Sequence, residues 1–122
     1  MLWVGKSFKF DAAHFLPDHP KCGKVHGHTY HIDVEVRCEY NPETGMCIDL
    51  GDLTKIVNKI ISKFDHSVLN DHLPITTCEN IAKHITHNVY RKVKLLVKPT
   101  STGLGVRVKV QEGDGGYAIH EI

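Results

Sequence analysis

The strongest constraint on the fold is a strict alternation of apolar and polar residues along one segment of the chain. Apolar side chains occupy the even positions Tyr30, Ile32, Val34, Val36 and Cys38, and the odd positions between them are polar or charged. Side chains two residues apart on a β-strand point to the same face of the sheet. The segment is therefore predicted to be a strand with one face in the core and one in water.

The other segments divide into strands and helices by the same reasoning. Alternation predicts further strands over 2–14, 106–112 and 117–122, and apolar spacings of three and one predict helices over 53–64 and from Thr76 or Thr77 to about Val89. Asp52 is expected to cap the first helix, and Thr76 with Glu79 fits a capping box for the second. The order ββααββ predicts an α+β fold, with an antiparallel sheet and both helices on one face.

Length and charge narrow the possible classes of protein. A chain of 122 residues is predicted to form one domain, residues 1–122. Fifteen basic and fourteen acidic residues give a net charge of +1, which argues against a general nucleic-acid or membrane-surface binder. No apolar run approaches the ~20 residues of a membrane span. The unusual count is ten histidines, since histidine is the commonest metal ligand and titrates near neutral pH.

Four cysteines, at positions 22, 38, 47 and 78, form no CxxC pair, and no secretory segment is recognised before them. We therefore expect a cytoplasmic protein with reduced thiols, and a disulfide pair is the less favoured alternative. Cys38 is expected in the core and Cys78 in the first turn of a helix, whereas the pattern assigns no place to Cys47.

Three histidines are expected to converge at the rim of the core. The apolar positions of the first strand run on to His14, and those of the second strand run back to His28 and His26. If these two strands pair antiparallel, the end of one lies beside the start of the other. Three neutral imidazoles can bind zinc and leave a position open for water or substrate. Three ordinary rim histidines are the alternative, and the ligand type does not exclude iron or copper.

Glu112 ends the row of valines in the third predicted strand. A carboxylate at the end of an apolar row is costly unless something pairs with it, so Glu112 is a candidate acceptor for a ligand with N–H donors. The alternative is that Glu112 lies past the strand end, in water.

Five short segments, taken in order, resemble the successive signatures of the 6-pyruvoyl-tetrahydropterin synthase family. They are Phe10–His14 (FDAAH), Cys22–His28 (CGKVHGH), Asp65–Asn70 (DHSVLN), Thr77–Ala82 (TCENIA) and Glu112. Each motif alone is weak, but together they span nearly the whole chain in the right order.

The resemblance implies a tunnelling fold, with a four-stranded antiparallel sheet and two helices, in a homohexamer whose active sites form between subunits. It implies a Zn²⁺ cofactor held by His14, His26 and His28. It also implies a catalytic thiol at Cys22, proton transfer by Asp65 and His66, and pterin binding by Glu112 with Thr76, Thr77 and Glu79 nearby. In one alternative, Cys22 is a fourth ligand of a structural zinc centre.

The spacing between Cys22 and the His-Gly-His motif distinguishes branches of the family. Three residues separate Cys22 from His26, which resembles the branch that forms 6-carboxy-5,6,7,8-tetrahydropterin for 7-deazaguanine (queuosine or archaeosine) biosynthesis. The expected reaction is then the carbon–carbon lyase conversion of 7,8-dihydroneopterin triphosphate to that product, acetaldehyde and triphosphate. The alternatives are the pyruvoyl-forming elimination of triphosphate and a non-catalytic zinc- or pterin-binding oligomer. A folate-type aldolase branch carries Glu in place of Cys22.

Overall fold

The computed structural model describes the complete chain, residues 1–122. It contains five strands, two α-helices and one short 3₁₀ turn, Leu69–Asp71. In chain order the elements are β1 (Val4–His14), β2 (His26–Arg37), α1 (Leu50–Ile61), β3 (Ser67–Val68), α2 (Cys78–Val93), β4 (Gly105–Glu112) and β5 (Tyr117–Glu121). The strands form one sheet in the order β3-β1-β2-β4-β5.

The sheet has five strands and is mixed, so the prediction of four antiparallel strands is wrong in this respect. β3 adds to the outer edge of β1 and runs parallel to it, pairing Ser67 with Ala12 and Val68 with Ala13. The other three pairings are antiparallel, as expected. A strand of two residues is too short to show an alternating sequence pattern, so β3 could not be predicted. Its pairing with β1 depends on where the chain returns after α1.

The core lies between the inner face of the sheet and the inner stripes of the two helices. Tyr30, Ile32, Val34 and Val36 of β2 are fully buried, as the alternation predicts. The same is true of Leu53 and Val57 in α1, and of Ile81, Ala82, Ile85 and Val89 in α2. Burial of each large aliphatic side chain contributes about 1.5–3 kcal/mol, so this continuous cluster is the main source of stability.

Neither Asp52 nor Thr76 is the N-cap of its helix, although Thr77, one of the two predicted starts of α2, does cap that helix. The N-cap of α1 is Asp49, whose carboxylate accepts hydrogen bonds from the backbone N–H groups of Gly51 and Asp52. The N-cap of α2 is Thr77, whose hydroxyl accepts from the N–H of Asn80. An N-cap has extended backbone angles and is the last residue outside the helix. Asp52 instead lies in the first turn, where its charge complements the helix dipole.

Cys38 and Cys47 are joined by a disulfide bond, which contradicts the expectation of reduced thiols for this pair. Their Cα atoms lie 5.4 Å apart, within the range that a disulfide requires. A turn with a backbone bridge between Asn41 and Met46 reverses the chain and returns Cys47 to the buried Cys38. Their spacing matches no cysteine motif, so the pairing became visible only with the turn geometry. Neither α-helix combines the length and apolar character needed to cross a membrane.

Candidate metal centre and active site

The register of β1 and β2 brings His14, His26 and His28 together. His14 pairs with His26, and Ala12 pairs with His28. The ring centroids lie 4.6 Å (His14–His26), 5.2 Å (His14–His28) and 4.8 Å (His26–His28) apart. One ring nitrogen of each histidine lies within 4.8 Å of the others, so the predicted convergence is confirmed.

Backbone carbonyl groups determine which nitrogen carries the proton in two of these rings. His14 Nδ1 lies 2.9 Å from the Thr76 carbonyl oxygen, and His26 Nδ1 lies 2.7 Å from that of Lys24. Because a carbonyl oxygen only accepts, each Nδ1 must be the donor, and each neutral ring then has a free Nε2 lone pair. Such outer contacts orient histidine ligands in metal sites.

The histidine cluster fits a metal ion with nitrogen ligands. Nε2 of His14 and Nε2 of His28 are buried and have no hydrogen-bond partner in the protein, a costly state that a metal would relieve. Burial lowers the pKa of His14, with the Thr76 contact opposing it, and the neutral form is the one that binds metal. Three imidazoles suit zinc. Cys22 lies outside this close cluster, which argues against a four-ligand structural centre.

Glu112 lies at the rim of the same cluster. Its Oε2 is 3.3 Å from His28 Nε2, which is within ion-pair distance. The two atoms are not aligned for a hydrogen bond, so His28 Nε2 still has no hydrogen-bond partner. Its Oε1 accepts a hydrogen bond from the Cys78 thiol at 3.2 Å. Burial, together with Glu112, raises the pKa of Cys78 to about 12, so Cys78 is a neutral donor and not a thiolate. The side chain of Glu112 is 26% exposed, which leaves it accessible to a ligand.

The predicted residues near the start of α2 take different places. Thr76 is fully buried, and its carbonyl and hydroxyl oxygens both face His14 Nδ1, at 2.9 and 3.2 Å. Thr77 caps the helix, and Glu79 is exposed in the first turn. Substrate contact by these three residues stays a prediction.

Cys22 lies in the loop between β1 and β2 and is a half-buried free thiol. Two backbone contacts order this loop: Leu16 N–H donates to Cys22 O at 2.8 Å, and Cys22 N–H donates to His19 Nδ1 at 2.9 Å. The ring of His19 also accepts from Lys21 N–H at 3.2 Å. No sequence pattern indicated that His19 holds the backbone of this loop. The catalytic role of Cys22 stays a prediction.

Asp65 and His66 form a second cluster, separate from the three histidines. Asp65 Oδ2 lies 2.9 Å from His66 Nδ1, and Asp65 Oδ1 accepts from the backbone N–H of Asp11 at 3.0 Å. The Asp11 contact and then His66 lower the pKa of Asp65, and the hydrogen bond that His66 donates to Asp65 raises the pKa of His66. Both side chains are exposed, beside a strand whose odd-numbered side chains point away from the core. Their proton-transfer role stays a prediction.

The chain matches one protein family over almost its full length. The sequence pattern described as 6-pyruvoyl tetrahydropterin synthase matches residues 4–121. The chain is 41% identical over 116 residues to an Archaeoglobus fulgidus protein provisionally named 6-carboxy-5,6,7,8-tetrahydropterin synthase, with 94% of this chain and 91% of that protein covered. It is 31% identical to the Bacillus subtilis 6-carboxy-5,6,7,8-tetrahydropterin synthase, with 96% and 83% covered.

The fold agrees with that match. The structure of Caenorhabditis elegans 6-pyruvoyl tetrahydropterin synthase superposes with a TM-score of 0.81 at 23% identity, covering 99% of this chain and 95% of that one. The chain therefore belongs to the 6-pyruvoyl tetrahydropterin synthase family, and the family resemblance predicted from its motifs is confirmed.

Proposed function

We propose that this protein is a zinc-dependent lyase that converts 7,8-dihydroneopterin triphosphate to 6-carboxy-5,6,7,8-tetrahydropterin, acetaldehyde and triphosphate. The observation that carries the proposal is the cluster of His14, His26 and His28, with unpartnered buried nitrogens beside the Glu112 carboxylate. This arrangement places a candidate metal next to an acceptor suited to the N–H groups of a pterin. The proposed pathway is 7-deazaguanine biosynthesis.

The choice of product depends on the relatives and on one spacing. Both sequence relatives described above carry the 6-carboxy name. Three residues separate Cys22 from His26, the spacing expected of that branch. The second candidate is the pyruvoyl-forming elimination of triphosphate from the same substrate, which the name of the family favours.

Each residue has a defined task in the proposed mechanism. A zinc ion held by His14, His26 and His28 would supply a Lewis acid for the side-chain hydroxyls of the substrate and would make the adjacent C–H bond more acidic. The Cys22 thiolate takes that proton, and His66, oriented by Asp65, accepts or returns protons at the substrate side chain. Glu112 accepts hydrogen bonds from the pterin ring, with Thr76, Thr77 and Glu79 near it. Cys78 is excluded as the base because its thiol stays protonated.

We also propose that the active site is shared between subunits of a homohexamer. In one chain, Asp65 and His66 form a cluster separate from the three histidines, on a side of β1 that faces away from the core. β5 is an edge strand with Tyr117 and Ile119 exposed, and β3 covers only Ala12 and Ala13 of the other edge. These open edges suit pairing between copies into a barrel.

Mixed oligomers test the sharing of the site. Inactive Cys22→Ala and His66→Asn proteins, unfolded together and reassembled, should regain part of the activity if the two groups act from different chains. If mass measurement shows that mixed hexamers have formed and no activity returns, both groups act from the same chain.

Product analysis tests the function itself. Zinc-loaded protein given 7,8-dihydroneopterin triphosphate should release acetaldehyde and triphosphate and form the 6-carboxy product. A pyruvoyl product would support the second candidate. No reaction by an intact zinc-loaded oligomer would favour a non-catalytic zinc- or pterin-binding protein.

We propose a cytoplasmic location for this protein. The Cys38–Cys47 disulfide is unusual for that compartment, although intracellular proteins of hyperthermophiles are an established exception. Counting free thiols in protein alkylated at cell lysis would show whether this pair is oxidised in the cell.

A further inference from the structure

We infer that Asp11 is a positioning residue for His66, fixing its backbone and placing a second carboxylate beside its imidazole. The inference deepens the proposed function and rests on it for the catalytic meaning of His66. It rests separately on the geometry of one cluster, in which oxygens of Asp11 and Asp65 and a ring nitrogen of His66 all lie within 4.8 Å of one another.

The backbone of Asp11 contacts both residues of the pair. Its N–H donates to Asp65 Oδ1 at 3.0 Å, and its carbonyl oxygen accepts from the N–H of His66 at 2.6 Å. His66 has a φ of 57°, in the left-handed region that residues other than glycine seldom occupy. The contact with β1 therefore fixes a turn that the chain would not favour alone.

The side chain of Asp11 is itself fixed. Thr29, opposite Asp11 in the β1–β2 register, donates its hydroxyl hydrogen to Asp11 Oδ1 at 2.5 Å. Asp11, Thr29 and His66 line one groove at the end of β1 and β2. The carboxylate is thus held toward the groove that contains the imidazole.

The charges around His66 give Asp11 a definite effect. Asp65 and Asp11 are the two anions beside the ring, and His28 lies across the groove. A second anion favours the imidazolium form of His66. The proton affinity of His66 should therefore depend on Asp11 as well as on its direct partner, Asp65.

The chain offers a matched control. Asp33 on β2 accepts a hydrogen bond from Ser7, the residue opposite it, at 2.6 Å. This pair repeats the hydroxyl–carboxylate arrangement of Thr29 and Asp11 on the same two strands, away from His66. Asp11→Asn and Asp33→Asn remove the same charge from the same kind of pair.

The test is an NMR titration of zinc-loaded oligomer containing ¹³C-labelled histidine, with the His66 signal assigned by its absence in His66→Gln. Asp11→Asn should move the midpoint of His66 to lower pH, and Asp33→Asn should leave it in place. Thr29→Val, which frees the Asp11 side chain, should give a smaller shift in the same direction. Equal midpoints of His66 in Asp11→Asn and Asp33→Asn would overturn the inference. An unchanged midpoint in Thr29→Val would also contradict it, because the Asp11 side chain would then not need to be held in place.

Kinetics connect the same variants to the reaction. The limb of the kcat/KM profile that reports His66 should move to lower pH in Asp11→Asn, changing kcat/KM on that limb by roughly two- to fivefold. A loss of the same size at every pH would indicate a merely structural role and contradict the inference. The NMR shift does not require turnover, so an inactive parent protein would refute the proposed function and leave the positioning result readable.

Discussion

The Nδ1 atom of His14 lies 2.9 Å from the backbone carbonyl oxygen of Thr76. This contact requires the proton on Nδ1 and leaves Nε2, which is buried and unpartnered, as the atom available to a metal. Thr76 directly precedes the cap of α2, so the start of that helix orients a ligand that ends β1. The geometry of the candidate metal site thereby depends on packing between the helix and the sheet.

Zinc binding should depend on His28 and not on a neighbouring histidine. His28→Ala removes one of three ligands, so the affinity for zinc should fall by more than the roughly 10- to 100-fold that loss of an outer contact costs. His31→Ala, on the exposed face of β2, is the control and should keep about one zinc per chain. Metal analysis after dialysis measures both. Equal zinc contents in the two variants would contradict the assignment.

Cys22 should matter for turnover and not for the metal. Cys22→Ala should lower kcat by about 10²- to 10⁴-fold, the range for loss of a general base, with zinc still stoichiometric. Cys78→Ala is the comparison, because that thiol is protonated and contacts Glu112. Loss of zinc together with the Cys22 thiol would instead indicate a structural centre with Cys22 as the fourth ligand.

Glu112 should contribute to pterin binding. Glu112→Gln removes a charged acceptor whose hydrogen bonds are worth about 1.5–3 kcal/mol, so the Kd for a pterin should rise roughly 10- to 100-fold. Glu121→Gln alters an exposed carboxylate near Arg107 and should have no effect. Calorimetry with zinc-loaded protein measures the affinities. An unchanged Kd in Glu112→Gln would show that Glu112 does not hold the ring.

Stability should fall on acidification because of partly buried histidines such as His84. Burial, then the nearby cations Lys63, Arg91 and His87, lowers the pKa of His84 below the value of an unfolded histidine. The unfolded chain therefore binds more protons between the lowered pKa and about 6.5, so the free energy of unfolding decreases as pH falls through that window. His66, whose pKa is raised, acts in the opposite direction, but it is exposed and its effect is screened.

Denaturation of metal-free protein between pH 5 and 8 measures this dependence, and His84→Gln should flatten it. His31→Gln is the control, because His31 lies on the exposed face of β2. Parallel curves for the parent protein and His84→Gln would rule out His84 as the source.

Much of the candidate metal site was predictable because side chains two residues apart on a strand point to the same face of the sheet. His14, His26 and His28 stand at the ends of the apolar rows of β1 and β2, and the antiparallel pairing of these strands brings the three side chains together. Glu112 followed from the same parity on β4, although its thiol partner Cys78 depends on how α2 packs on the sheet.

Features that depend on tertiary contacts were not predictable. β3 exists only because the chain returns beside β1, and the Cys38–Cys47 bond depends on one turn. The cap of α2 is Thr77, one of the two residues expected at its start, and the contact of Thr76 with His14 could not be predicted. Local sequence does not encode these partners.

The most direct test of the account is a zinc titration with the products identified. Metal-free protein, prepared with a chelator and given 7,8-dihydroneopterin triphosphate, should be inactive. Activity should rise with added zinc up to about one ion per chain, with acetaldehyde and 6-carboxy-5,6,7,8-tetrahydropterin formed in equal amounts. Full turnover without zinc, or a product that retains the three-carbon side chain, would contradict the account.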